Sequence, residues 1–346
     1  MKWTIYTLEQ AEEWDCVVHS FSNYDVYYLS NYVRAFQLHG DGEPLLLFYE
    51  DSQVRGVNVA MKRDIADDPH FSGALEKGVW FDLATPYGYG SWLIQGEGDR
   101  ASLFRVYEDW CRQHRIVSEF ARFHPVLKTY ENMEPFYEVR LLGNSITLNL
   151  SSPEEIWANF ASANRNKIRK ARKNGVQIYQ GRYPSLYETF RTIYNSTMDK
   201  DHAKEYYYFS PAFYESILYD LRQHAQIFYA EKDGQIIAAS IMLFANGHMH
   251  YHLSGSIREY QHLAPTNLLL YEAALWGCAN GYKTLHLGGG VGEKEDNLYM
   301  FKKAFYRGAP TQYYCGKKLF LPDVSEMLCG MRGELSDSTY FPPYRA

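Results

Sequence analysis

The chain has 346 residues, room for two domains, and its hydrophobic fraction of 46% supplies ordinary globular cores. A formal charge of −6 excludes a nucleic-acid binder by overall charge, so no DNA partner is expected and any contact with a polyanion must be local. Cys16, Cys111, Cys278, Cys315 and Cys329 are odd in number and lack C-x-x-C spacing, which points to reduced thiols and a cytoplasmic protein.

The opening MKWTIYTLEQAEEWDC holds no long apolar run, so no signal peptide is expected. No stretch approaches the ~20 apolar residues of a membrane span, so membrane contact is expected at the surface alone. The 31 tyrosines read as half-buried strands and wet clefts, because the ring is apolar and the hydroxyl wants a partner.

Residues 8–19 and 25–38 read as helices, the second with an aromatic face and Arg34 beside it. Leu45–Glu50 and Val54–Arg63 read as strands joined by a turn at Asp51-Ser52-Gln53. After a polar loop, Val79–Ala84 is a strand that enters Thr85-Pro86-Tyr87-Gly88-Tyr89-Gly90-Ser91. An amphipathic helix over 101–115 and a strand over 117–123 follow. Arg34 and Tyr87 are candidate substrate contacts. Asp82, near a strand end, is either a proton acceptor or a structural hydrogen-bond partner.

Ser151-Ser152-Pro153-Glu154-Glu155 has the pattern of a capping box and opens a helix read as running on to Gly175. Arg165, Lys167, Arg169, Lys170, Arg172 and Lys173 place six cations in nine residues of it. Arg165, Arg169 and Arg172 or Lys173 share a face at helical spacing, and guanidiniums suit phosphate. A cationic C-terminal end also complements the helix dipole. Residues 184–223 read as two tyrosine-rich helices.

The first element order then recurs. Ile227–Glu231, a turn at Asp233-Gly234 and Ile236–Phe244 repeat the earlier hairpin; strand 248–253, helix 266–280 and strand 284–287 repeat the rest. The expected fold is mixed α/β: two homologous units around a central cleft, residues 1–149 and 150–325, with a tail at 326–346.

The stretch 248–310 is the richest in chemistry. HMHYHLSGS is an alternating strand, and Pro265 suits the first turn of the helix that Gly281 ends. TLHL is a parallel strand entering Gly288-Gly289-Gly290, and NLYMFKKAF makes a short helix. Parallel strands joined by a helix leave a crevice at their carboxyl ends, where three glycines let a backbone approach a ligand. His248, His250 and His252 alternate, with His286 on the next strand. No cysteine or acidic ligand has matching spacing, so no metal is expected. His252, nearest the strand's carboxyl end, is a candidate general base. Asp296, like Asp82, is either a proton acceptor or a structural partner.

YHLSGS (251–256), LAPTNLLL (263–270), Gly281–Gly290, FKKAF (301–305) and Ile156–Val176 together resemble the Fem family of peptidyltransferases and the wider tandem GNAT-like acyltransferases. The resemblance is clear over roughly the last two thirds of the chain. It implies two tandem GNAT-like domains and transfer of an aminoacyl group from aminoacyl-tRNA to an amine of a peptidoglycan precursor peptide. Within it, Lys302 is the catalytic candidate beside the developing oxyanion, with Lys303 as the alternative register.

By the same resemblance Arg165, Lys167, Arg169 and Arg172 meet substrate phosphates, with Tyr251, Gly288, Gly289 and Gly290 lining the crevice. One departure concerns the donor. Acetyl-CoA enzymes of this fold hold pyrophosphate on a glycine-bearing loop, whereas Glu259–Thr266 contains no glycine. No resident cofactor is expected; the co-substrate is aminoacyl-tRNA or acyl-CoA. The second reading is an N-acyltransferase using acyl-CoA on an amino sugar or small amine of envelope polysaccharide synthesis. A third is a binding module that kept the fold without turnover.

Overall fold

A computed structural model describes residues 1–292, 294–333 and 340–346. In chain order its main elements are β1 (Lys2–Tyr6), α1 (Ala11–His19), α2 (Ser30–His39), β2 (Glu43–Glu50), β3 (Arg55–Asp64), β4 (Phe81–Ala84), β5 (Leu93–Gln95), α3 (Ala101–Gln113) and β6 (Ile116–Arg122). Then come β7 (Glu138–Asn149), α4 (Pro153–Asn159), α5 (Ser162–Lys173), β8 (Gln177–Gly181), α6 (Pro184–Lys200), α7 (Pro211–Tyr219), β9 (Ala225–Lys232), β10 (Gln235–Ala245) and β11 (His248–Ser256). The last are α8 (Pro265–Ala279), β12 (Thr284–Gly288), α9 (Asn297–Lys303), β13 (Thr311–Leu319) and α10 (Pro322–Arg332).

Two compact units form: Met1–Leu142 with Tyr313–Ala346, and Gly143–Gln312. Each carries the same motif. In the first, β2, β3 and β4 pair antiparallel, and α3 crosses over to β6, which lies parallel to β4. In the second, β9, β10 and β11 do the same, and α8 crosses over to β12, parallel to β11. The crossover is the element that lets two neighbouring strands run parallel.

The expected boundaries at 149 and 325 need correction, because each sheet takes one more antiparallel strand. β13 pairs with β6, from Cys315 opposite Arg122 to Leu319 opposite Ser118. β7 pairs with β12, from Asn149 opposite Thr284 to Ile146 opposite Gly288. Residues 143–149 therefore belong to the second unit and 313–325 to the first. The described residues of the tail pack into the first unit as well, where Tyr344 is fully buried among Ile65, Phe71, Val117 and Leu328. Tyr344 Oη lies 2.7 Å from Ser118 Oγ, and Arg345 Nε donates to Asp82 Oδ2 at 2.6 Å. Asp82 also accepts from Arg63 Nε at 2.7 Å. Of its two roles open from sequence, the structural one is what the geometry provides.

The second unit is built on α8. Its residues are apolar nearly all round, and nine of them are buried. Gly277 lets it close on the sheet: a Cβ there would sit 2.4 Å from Met249 Sδ and 2.9 Å from Leu150 Cδ1. β10 reads as a continuous apolar run because it is central, flanked by β9 and β11, with both faces covered.

Candidate active site

The site in the second unit begins where two strands part. β11 and β12 pair in parallel over His248–Thr284, Met249–Leu285 and His250–His286. Past that pair no register continues among the described residues, so Tyr251 and His252 lie at the fork. On the other side of β11 the register slips. Tyr251 pairs with Met242 and Leu253 with Ile241, so His252 is the extra residue of a bulge. A bulge re-aims side chains and interrupts pairing. The Tyr251 hydroxyl hydrogen-bonds with Ser254 and Ser240, whose own hydroxyls are 2.7 Å apart.

β12 ends at Gly288, which has φ 77°, and the chain turns through the glycines towards α9. Asp296 caps that helix, accepting from Tyr299 N at 2.9 Å, and reaches back to accept from Val291 N at 2.9 Å. A Cβ on Gly290 would lie 2.4 Å from Asp296 Oδ1, so glycine is required there. Lys302 points inward with 8% of its surface exposed, and its Nζ donates to the Gly289 carbonyl at 2.6 Å. The same Nζ lies 5.9 Å from the centre of the Tyr251 ring. Burial pushes the Lys302 ammonium down to about 8, against the pull of Asp296, so it stays mostly protonated at neutral pH. Lys303 turns away, donating to the Gly308 carbonyl at 2.5 Å. The helix register thus puts Lys302, not Lys303, at the glycine loop.

The histidines divide differently from expectation. His252 is pushed down to about 3 by burial and by neighbouring His250. An imidazole so weakly basic holds almost no proton at pH 7 and is a poor general base. Buried His250 and His286 face each other with ring centres 5.9 Å apart. His286 Nδ1 meets Thr147 Oγ1 at 2.9 Å, and His248 Nδ1 meets Thr284 Oγ1 at 2.9 Å.

The basic segment is two helices, α4 and α5, with extended backbone at Phe160 and Ala161 between them. Ser152 caps α4 through Glu155 N at 3.1 Å, as the capping pattern implied. The arginine face read as a phosphate site has protein partners. Arg165 donates to the carbonyls of Trp157, Ala158 and Phe160, at 2.9 Å for Phe160, and so caps α4. Arg169 lies over the Trp157 ring and donates to Asn166 at 3.0 Å. Arg172 lies over Tyr271 and pairs with Glu272 at 2.6 Å. Lys167, Lys170 and Lys173 are exposed and form no ion pair among the described residues.

Lys167 borders a cavity of about 260 Å³ with Asn164, Asn267, Asn297 and Phe301. Asn164 and Asn267, both buried, share a hydrogen bond of 2.8 Å that ties α5 to α8. Asn164 Nδ2 also reaches the Ala304 carbonyl at 3.3 Å, which anchors the end of α9. Single-sequence reading missed Asn164, Asn267, Ser240 and Ser254, since small polar residues inside apolar runs carry no periodic signal.

The remaining two candidates lie in the first unit. Arg34 lines a cavity of about 420 Å³ with Thr7, Glu9, Gln37 and Glu43. The Tyr87 ring stacks on Phe36 at 5.4 Å, and its carbonyl accepts from the Tyr32 hydroxyl.

The acetyltransferase (GNAT) domain profile matches residues 159–302, from the end of α4 to Lys302 itself. The chain is 26% identical over 160 residues to the UDP-N-acetylmuramoylpentapeptide-lysine N(6)-alanyltransferase of Weissella viridescens. That stretch is 44% of this chain and 45% of the relative, so the chain spans less than half of the curated relative it matches. The crystal structure of FemX superposes with TM-score 0.68 at 13% identity, covering 94% of this chain and 99% of that one.

Residues 159–302 match a GNAT acetyltransferase domain, and the chain has the fold of FemX.

Its fold extends to L-PGS from Bacillus licheniformis, with TM-score 0.54 at 13% identity over 93% of this chain and 95% of that one. The fork of β11 and β12, the glycine loop and Lys302 all fall in the second unit, within the span of the acetyltransferase match.

Proposed function

We propose that the protein is an acyltransferase that moves an aminoacyl group from aminoacyl-tRNA to an amine of a peptidoglycan precursor peptide. The observation that carries this reading is the Lys302 ammonium, buried at the strand fork and held by the Gly289 carbonyl. Among the described residues that is its one hydrogen bond, and this reading assigns a substrate oxygen to the other N–H donors. In such a transfer the amine nitrogen bonds to the ester carbonyl carbon and the ester C–O bond breaks. The proton lost by the nitrogen passes to the departing hydroxyl oxygen. A fixed ammonium stabilises the oxyanion between these steps. The acyl acceptor class follows the Weissella relative, whose name specifies alanyl transfer to a pentapeptide lysine.

The head of α8 favours tRNA over acyl-CoA as donor. Its approach is a 3-10 turn over Arg258–Leu263, with Ala264 at φ 56° and Pro265 first in the helix. The amides of Tyr260 and Ala264 bond to Ile257 O at 3.1 Å and Gln261 O at 2.9 Å, so neither is open to a pyrophosphate. The exposed Lys167, Lys170 and Lys173 give a local cationic stripe suited to a phosphate backbone. The reading places the protein in the cytoplasm, with no resident cofactor and with surface contact where the precursor is lipid-linked.

The test is transfer itself. Radiolabelled alanyl-tRNA and a pentapeptide precursor are incubated with the protein beside a parallel reaction with acetyl-CoA. Label on the peptide amine from tRNA alone supports the reading. Acetyl transfer without aminoacyl transfer overturns it in favour of the acyl-CoA enzyme, and no transfer with either donor favours a binding module.

A further inference from the structure

We infer that Asp296 is a positioning residue for Lys302: its carboxylate folds the glycine loop so that the Gly289 carbonyl meets the Lys302 ammonium, and it supplies the counter-charge near that ammonium. The two oxygens of Asp296 are divided between the loop and the helix. Oδ2 takes Val291 N at 2.9 Å, and Oδ1 takes Tyr299 N at 2.9 Å. Gly290 lies against the carboxylate with no room for a Cβ, and the preceding carbonyl, Gly289 O, is the one that accepts from Lys302 at 2.6 Å. One side chain therefore sets both the start of α9, which carries Lys302, and the turn that carries its acceptor.

Among the described residues, the titratable groups that bear on Lys302 are Asp296 and Tyr251. Asp296 stands at the head of its own helix and Tyr251 comes from β11. Glu295 is engaged with Asn144 at 2.9 Å and with the Tyr299 hydroxyl, and Lys303 is turned to Gly308. Burial works against the cation, and Asp296 is the group that counters it. An ordinary helix cap would do the first job without the second, which makes the two separable.

The inference rests on the acyl-transfer reading for what the ammonium is used for, but the coupling is measured without turnover. In protein labelled with 13C-lysine, the Cε resonance of Lys302 is identified by its loss in Lys302→Arg and titrated between pH 6 and 11. Asp296→Asn keeps a capping side chain, since Asn caps as well as Asp, and removes the charge. The Lys302 midpoint is expected to fall by about 1 unit. Asp296→Ser, a second uncharged cap, should give the same fall if the Asn variant folds poorly. An unchanged midpoint in either folded variant reduces Asp296 to a cap and overturns the inference, whatever the transfer assay gives. A fall in midpoint without any transfer activity keeps the inference and removes the proposed function instead.

Discussion

Lys302 Nζ lies 2.6 Å from the carbonyl oxygen of Gly289, the middle residue of the triglycine that ends β12. This contact joins the strand's carboxyl end to α9, and it distinguishes Lys302 from its neighbour. Lys302→Ala should lower kcat for aminoacyl transfer about 100- to 1,000-fold, the range for loss of an oxyanion donor. Lys303→Ala, which removes only the contact to Gly308, should stay within a few-fold of the parent. Steady-state kinetics with circular dichroism as the folding control checks both.

The same ammonium sets the alkaline side of the pH profile. With Lys302 at about 8, the protonated form is complete well below that pH and disappears above it. The rate of transfer should therefore fall as pH rises through about 8, well below the usual lysine range. A profile flat to pH 10, after correction for ester hydrolysis, would contradict a role for the cation.

His252 makes stability depend on pH in the acid range. Its folded value of about 3 lies below the model-peptide value of 6.5. The unfolded chain therefore binds the extra proton between these limits. The neutral imidazole contributes stability in full above pH 6.5, and that contribution is lost as pH falls towards 3. By pH 4 the loss is on the order of 3 kcal/mol. Urea unfolding at pH 7 and pH 4.5 should show a smaller drop for His252→Asn than for the parent.

The basic helix separates into structural arginines and solvent-facing lysines. Arg165→Ala removes the guanidinium that caps α4, and should cost about 2 kcal/mol of stability. Replacing Lys167, Lys170 and Lys173 by Ala should leave the melting temperature nearly unchanged. It should weaken tRNA binding and lower the salt slope by about 1 per lysine that meets a phosphate. Binding titrations between 50 and 200 mM salt, run beside thermal melts, distinguish the two sets.

Arg345 closes the tail on the first unit. It donates to Asp82 at 2.6 Å and approaches Asp68 at 3.2 Å, while Arg63 holds the other Asp82 oxygen. Arg345→Ala leaves a fully buried carboxylate with one partner fewer, which should cost about 3 kcal/mol. Loss of this magnitude in a chemical denaturation curve, with transfer chemistry intact at low temperature, is the expected result.

The sequence by itself determined the repeated unit, the crossover helices and the crevice strand, because hairpin turns, period-two strands and an apolar fifteen-residue helix are local patterns. It also placed Lys302 within one residue, since FKKAF could turn either lysine inward and only the packing of Tyr299 and Phe305 into the core sets the register. Tertiary structure decided the rest. The unit boundaries moved because the last strand of each sheet, β13 and β7, is chosen by pairing between residues far apart in the chain. The arginine face of α5 has partners on α4 and α8, whose carbonyls, rings and carboxylate lie within reach only in the folded unit. The low basicity of His252 has the same origin: an imidazole's basicity is a property of its surroundings, and those are assembled by the bulge and by His250, not by the letters HMHYH.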